Sequence, residues 1–130
     1  MKQIIVTAAV IMRENKLLLA QRLPTGDWGG RWEFPGGKVE FGETPRNGLE
    51  RELLEELGIS SEATSILEVV SEITSEKQLI LLYFVCQIIH GEPQPLQCQQ
   101  VNWFELQAVD LLLKPPADEV FWQKYSLMIR

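Results

Sequence analysis

Between Thr44 and Gly58 the chain is written as a helix that has to bury one side and cannot bury the other. Thr44 offers a side-chain oxygen suited to an N-cap, Pro45 suits the first helical position, and Gly58 suits the stop. Leu49, Leu53 and Leu57 recur every fourth residue as one apolar stripe, so the helix needs another layer to lie against. Glu52, Glu55 and Glu56 share a second face through offsets of three and four. Like charges at that spacing destabilise a bare helix by a few tenths of a kcal/mol per pair. A hard divalent cation would remove the repulsion, since such ions take carboxylate oxygens and are completed by water and substrate phosphates. Without a cation, the same residues read as a solvated acidic face behind a glycine turn. Arg51 either pairs with Glu55 one turn on or folds toward Glu43 and orients a catalytic carboxylate.

The flanking sequence supplies sheet material. Residues 3–12 and 17–20 are β-rich and are joined by a hairpin turn at Arg13-Glu14-Asn15-Lys16. Residues 23–31 read as a loop. Trp32-Glu33-Phe34 is extended and stops at Pro35-Gly36-Gly37. Two strands follow over 66–73 and 78–89, then a loop at 91–95, a strand from Gln99 to Phe104, and short helices over 105–113 and 117–128. Strands and helices mix without strict alternation, which predicts a mixed sheet with helices on its faces. The 130 residues fit one domain over 1–130.

No apolar run reaches the roughly 18 residues of a membrane span. The apolar start at Ile4-Ile5-Val6 is ended by Arg13, Glu14 and Lys16 without a small-residue cleavage site, so a soluble, cytoplasmic protein is expected with no membrane partner. The net charge of -6 argues against a nucleic-acid polymer as partner. Six of the 18 acidic residues (Glu40, Glu43, Glu50, Glu52, Glu55, Glu56) lie within 17 positions, where a polyphosphate would need a cation in between. Cys86 and Cys98 have no metal-ligand spacing, and His90 is the single histidine, which disfavours a zinc site.

The acidic helix belongs to a longer pattern. Gly37, Glu43 and the run Arg51-Glu52-Leu53-Leu54-Glu55-Glu56-Leu57-Gly58-Ile59 resemble the signature of the Nudix hydrolases. All seven fixed polar and glycine positions match, as do the aliphatic positions Leu53 and Ile59. Leu19-Ala20-Gln21-Arg22, Trp32 through Lys38, and Pro115-Pro116-Ala117-Asp118 are similar, in order, to the MutT-like nucleoside triphosphate pyrophosphohydrolases. The resemblance implies an α/β/α sandwich with a mixed sheet flanked by helices. It implies Mg2+, with Mn2+ as an alternative occupant, held by Glu52, Glu55, Glu56 and the Gly36 carbonyl.

Because Gln97 stands where the MutT-like branch carries its base, Glu52, with help from Glu56, is read as taking the proton of the attacking water, with Glu43, Glu92 or Glu105 as alternatives, while Glu43 and Arg51 complete the catalytic set. Arg22, Lys38 and Lys77 are candidate substrate contacts, Trp28 a stacking platform and Asp118 a base reader. For Arg22 and Lys77 a plain surface charge is the alternative, and for Asp118 a cap on the last helix. Phe34, Leu81 and Phe84 either line the pocket or pack the core. A further Glu expected on the loop before Trp103 is replaced by Gln97, which offers a carbonyl oxygen but takes no proton at neutral pH. The implied reaction converts a nucleoside triphosphate to a monophosphate and pyrophosphate, sanitising oxidised or non-standard nucleotides such as 8-oxo-dGTP or a (d)CTP-type substrate. ADP-ribose or a nucleotide sugar is the alternative substrate, and a non-catalytic nucleotide sensor the alternative of another class. Either a monomer or a homodimer is compatible.

Overall fold

A computed structural model describes residues 1–129. The elements run β1 (Lys2–Val10), β2 (Met12–Arg13), β3 (Lys16–Gln21), β4 (Trp32–Glu33), β5 (Gly36–Lys38), α1 (Pro45–Leu57), β6 (Ser60–Ile73), β7 (Lys77–His90), β8 (Gln100–Glu105), α2 (Leu106–Leu111) and α3 (Pro116–Ile129). One sheet has the order β5-β1-β7-β6 and is mixed, with β1 parallel to β7 and the other pairs antiparallel. In the second, β3 pairs antiparallel with β2, β4 and β8.

The alternation of side chains along the strands builds two cores. Ala8, Val10, Leu17, Leu19, Leu81 and Tyr83 pack with Phe34 and Val109 against Phe121 and Trp122 of α3. The intervening residues Ala9, Ile11, Leu18, Phe84 and Cys86 pack against Leu49, Leu53 and Leu57 of α1. Period two along β1, β3 and β7 thus feeds both faces, with α1 and α3 on opposite sides. This is the expected mixed sheet flanked by helices, and a second, antiparallel sheet accompanies it. Among the described residues no helix is long and apolar enough to cross a membrane.

The helix signals in α1 act as written. The Thr44 hydroxyl oxygen accepts from the Asn47 N–H at 3.1 Å. Gly58 adopts φ 71° and its N–H donates to the Leu54 carbonyl. In the β2–β3 hairpin, Glu14 and Asn15 take φ 51° and 63°.

Two elements differ from the sequence reading. Gly36-Gly37, read as a stop, forms β5 and pairs with Thr7 and Ala8 of β1. A Cβ at Gly36 would overlap the Thr7 carbonyl oxygen, so glycine here permits close strand approach rather than ending a strand. Strand β6 begins at Ser60, not residue 66. Its first residues are polar and three register shifts interrupt its alternation, while α1 pins it in place. Glu50 Oε2 accepts from the Ala63 N–H at 2.9 Å, and Arg46 donates to the carbonyls of Ala63 and Thr64.

Leu53 has no exposure, whereas its neighbour Leu54 is 56% exposed. Leu53→Ala is expected to cost about 2–5 kcal/mol in urea unfolding. Leu54→Ala should stay within about 0.5 kcal/mol of the parent. Equal losses from the two would show that α1 is not seated on this face.

Candidate active site

Arg51 organises the acidic side of α1. Its Nε and Nη2 donate to the two oxygens of Glu43 at 2.9 and 2.7 Å, a bidentate pair. Nη2 also donates to the Lys38 carbonyl, and Nη1 donates to Glu52 Oε1 and Glu55 Oε1, each at 3.1 Å. Arg51 thus makes both contacts the sequence left open, toward Glu55 and toward Glu43. The Arg51 hydrogen bonds, with one from the Glu40 N–H, hold the Glu43 carboxyl at about 2, well below the usual carboxylate range. Glu43 is therefore a fixed anion that clamps the loop before α1 onto Arg51.

The carboxylates of Glu52 and Glu56 lie on the sheet side, next to β5. A Cβ at Gly37 would overlap the Glu52 carboxylate, so that glycine leaves room for it. Glu56 accepts from the Gly36 N–H, yet its Oε1 is buried without a hydrogen-bond partner. Burial, then the nearby charges of Glu33 and Glu52, push the Glu56 carboxyl up to about 8. An orphaned buried oxygen among other carboxylates fits a cation. Among the described residues no three His, Cys, Asp or Glu side chains close into a cage. An ion at Glu52 and Glu56 would therefore take its other oxygens from main chain, water and phosphates, as Mg2+ commonly does. Glu55 is half exposed and engaged by Arg51.

A cleft of about 670 Å³ opens beside β5, and Arg22, Trp28, Lys38, Lys77 and Asp118 all line it, with Gly36 among them. The Arg22 Nη1 pairs with Glu33 Oε1 at 2.9 Å and its Nε donates to the Asp27 carbonyl. Trp28 is 41% exposed, has φ 58°, and carries the Arg31 guanidinium 4.9 Å from its ring centre. Phe34 and Leu81 line the cleft, whereas Phe84 belongs to the core under α1.

The carboxylate of Asp118 does not turn back to cap α3. Its oxygens accept from the Phe34 N–H at 3.1 Å and the Tyr83 hydroxyl at 2.6 Å. The first turn of α3 is instead met by Glu72, whose Oε1 accepts from the Ala117 N–H.

Gln97 is exposed and is not among the cleft-lining residues. It sits on the loop whose Leu96 N–H donates to the Glu56 main-chain carbonyl at 3.1 Å. Three residues near the site escaped sequence reasoning as site candidates: Glu33, Glu72 and Tyr83. Glu33 lies within a quoted motif, and its acid in an apolar strand was the available signal. Glu72 and Tyr83 carry no local signal.

Comparison with known proteins places these features in context. The family profile described as NUDIX domain matches residues 1–125. An "8-oxo-dGTP diphosphatase" of Escherichia coli K12 is 31% identical over 120 residues, 92% of this chain and 93% of that protein. A "CTP pyrophosphohydrolase" of the same organism is 41% identical over 103 residues, covering 79% and 76%. The solution structure of the E. coli ORF135 protein superposes with a TM-score of 0.87 at 34% identity, over 99% of this chain and 92% of that one.

The buried acids give a pH signature. The Asp118 carboxyl is pushed up to about 7, first by burial and then by the charge of Glu33, and Glu56 is raised to about 8. Carboxyls raised above their unfolded values contribute stability at low pH that is lost as pH rises through the folded values. Without added metal, thermal melts should therefore show a Tm that falls from about pH 4 to about pH 8 and levels off above, with a shallower fall up to about pH 7 in Asp118→Asn. Identical slopes for parent and variant would mean that Asp118 ionises as freely folded as unfolded.

Proposed function

This chain belongs to the NUDIX family, and on that premise we propose that it is a Mg2+-dependent nucleoside triphosphate pyrophosphohydrolase that removes oxidised or non-standard nucleotides. The observation that carries this reading is the partnerless buried oxygen of Glu56, set with Glu52 against the glycines of β5 that line a nucleotide-sized cleft. The relatives named for 8-oxo-dGTP and CTP support a triphosphate over a dinucleotide-type substrate. The profile match over 1–125 supports one such domain along 1–130.

In this reading Glu52, Glu56 and the Gly36 carbonyl hold the cation, with Glu55 at the rim. When bound, the cation neutralises charge that develops on the phosphate oxygens. Arg51, fixed by Glu43, holds Glu52 through Nη1. Glu52 accepts the proton of the attacking water as its oxygen bonds to phosphorus, and the P–O bond to the leaving phosphate breaks. Gln97 leaves this proton to a carboxylate of α1, because an amide cannot accept it. Arg22, Lys38 and Lys77 bring positive charge to the phosphates, Trp28 stacks on the base and Asp118 reads its edge.

The test is product analysis with Mg2+ across 8-oxo-dGTP, dGTP, dCTP, ADP-ribose and a nucleotide sugar. Monophosphate plus pyrophosphate from at least one triphosphate is expected. Glu56→Gln should lose about a hundredfold or more in kcat while keeping its circular dichroism. Absence of turnover together with absence of Mg2+ binding by calorimetry would sink the enzymatic reading.

A further inference from the structure

The Asp118 end of the cleft is assembled from β6, β7 and α3. Asp118 is 4% exposed, and its two oxygens are each held by one donor, the Phe34 N–H and the Tyr83 hydroxyl. Tyr83 has no exposure, and its ring stacks on Phe121 with centroids 4.0 Å apart and planes within 1°. Burial and the charges of Asp118 and Glu72 raise the Tyr83 phenol further above its ordinary value, so it keeps its proton and remains the donor. The carboxyl plane of Asp118 is thereby fixed, and above about pH 7, where the group is ionised, its remaining lone pairs are acceptors.

Glu72 comes to the same end from β6. Its Oε1 accepts from the Ala117 N–H at 3.2 Å, and both Glu72 and Asp118 line the cleft. The Thr7 hydroxyl, also in the lining, is committed to the Gly37 carbonyl.

We propose that Glu72 is a specificity-determining residue: with Asp118 it forms an acceptor wall that selects nucleobases bearing an exocyclic amino group and rejects uracil and thymine. The inference rests on the reading that the cleft binds a nucleoside triphosphate with its base toward Asp118. Cytosine, adenine and guanine each carry an amino group with two donor hydrogens. Uracil and thymine carry a carbonyl oxygen where cytosine has its amino group. That oxygen would meet a carboxylate with no proton between them, and the single imide N3–H of uracil and thymine can serve only one of the two carboxylates, so the other is left desolvated and unpaired.

The experiment is kcat/KM for dCTP and dUTP with Mg2+ at about pH 8.5, where Asp118 is ionised, in the parent, Glu72→Gln and Asp118→Asn. Glutamine keeps a carbonyl oxygen for the Ala117 N–H and turns the other oxygen into a donor. The parent should favour dCTP by about tenfold or more, and Glu72→Gln should lower the ratio by about tenfold, carried by KM more than kcat. A ratio of two nucleotides on one preparation does not depend on the folded fraction, so lost stability does not imitate the effect. Glu72→Asp, which withdraws the carboxylate by one methylene, is the second variant and should lower the ratio too. A parent that hydrolyses dUTP as well as dCTP overturns the proposal. So does an unchanged ratio in both Glu72 variants when Asp118→Asn shifts it, and that outcome leaves base reading by Asp118 intact. If Asp118→Asn leaves the ratio unchanged as well, the placement of the base falls with it.

Discussion

The site depends on one guanidinium holding several carboxylates. Arg51 donates to Glu43, Glu52 and Glu55 and to the Lys38 carbonyl. Without that cation the carboxylates of α1 would repel one another and the loop before the helix would lose its anchor. With it, the loop from β5 to Thr44 and the first three turns of α1 become one rigid unit. The rigidity has a direction: Glu43 is spent on structure, whereas Glu56 is left with an oxygen that no protein group satisfies. A protein that satisfies both oxygens of one carboxylate and leaves one oxygen of another without a partner has separated a holding role from a binding role.

The sheet gives this unit its precision. Alternate residues of β1, β3 and β7 bury against α1 on one face and α3 on the other. A one-residue slip in any of them would exchange the two cores. The acidic face of α1 and the first turn of α3 are thus positioned by the same strands.

Much of this was legible in the sequence, and what was not has physical causes. Helix α1, with its cap at Thr44, its stop at Gly58 and its leucine stripe, announces itself because helix signals are local. The Gly37-to-Ile59 pattern is equally local. Strand β5 was hidden because two glycines normally mark a break, and only the approach of Thr7 explains them as strand. The first third of β6 was hidden by polar residues and register shifts. Tyr83 and Glu72 were silent for another reason: each acts on Asp118 or its helix across more than thirty positions of sequence, and no short window contains both partners. The alternative that Asp118 caps α3 was reasonable from its place in the chain. It gave way because Glu72 meets the helix terminus and leaves Asp118 to Phe34 and Tyr83.

The loop that carries Gln97 is fastened to the end of α1 through main-chain groups, the Gln94 N–H to the Leu57 carbonyl and the Leu96 N–H to the Glu56 carbonyl. Those bonds satisfy carbonyls that a helix terminus would otherwise leave open. They are also indifferent to which side chains the loop carries. The side chain at 97 is exposed and carries no share of that attachment, so its identity is free to drift without loss of the fold. Glutamine and glutamate are interchangeable there as far as folding is concerned. The protein can gain or lose a carboxylate on this loop by a step that is neutral for folding, which makes this position a natural point of divergence among descendants of one scaffold.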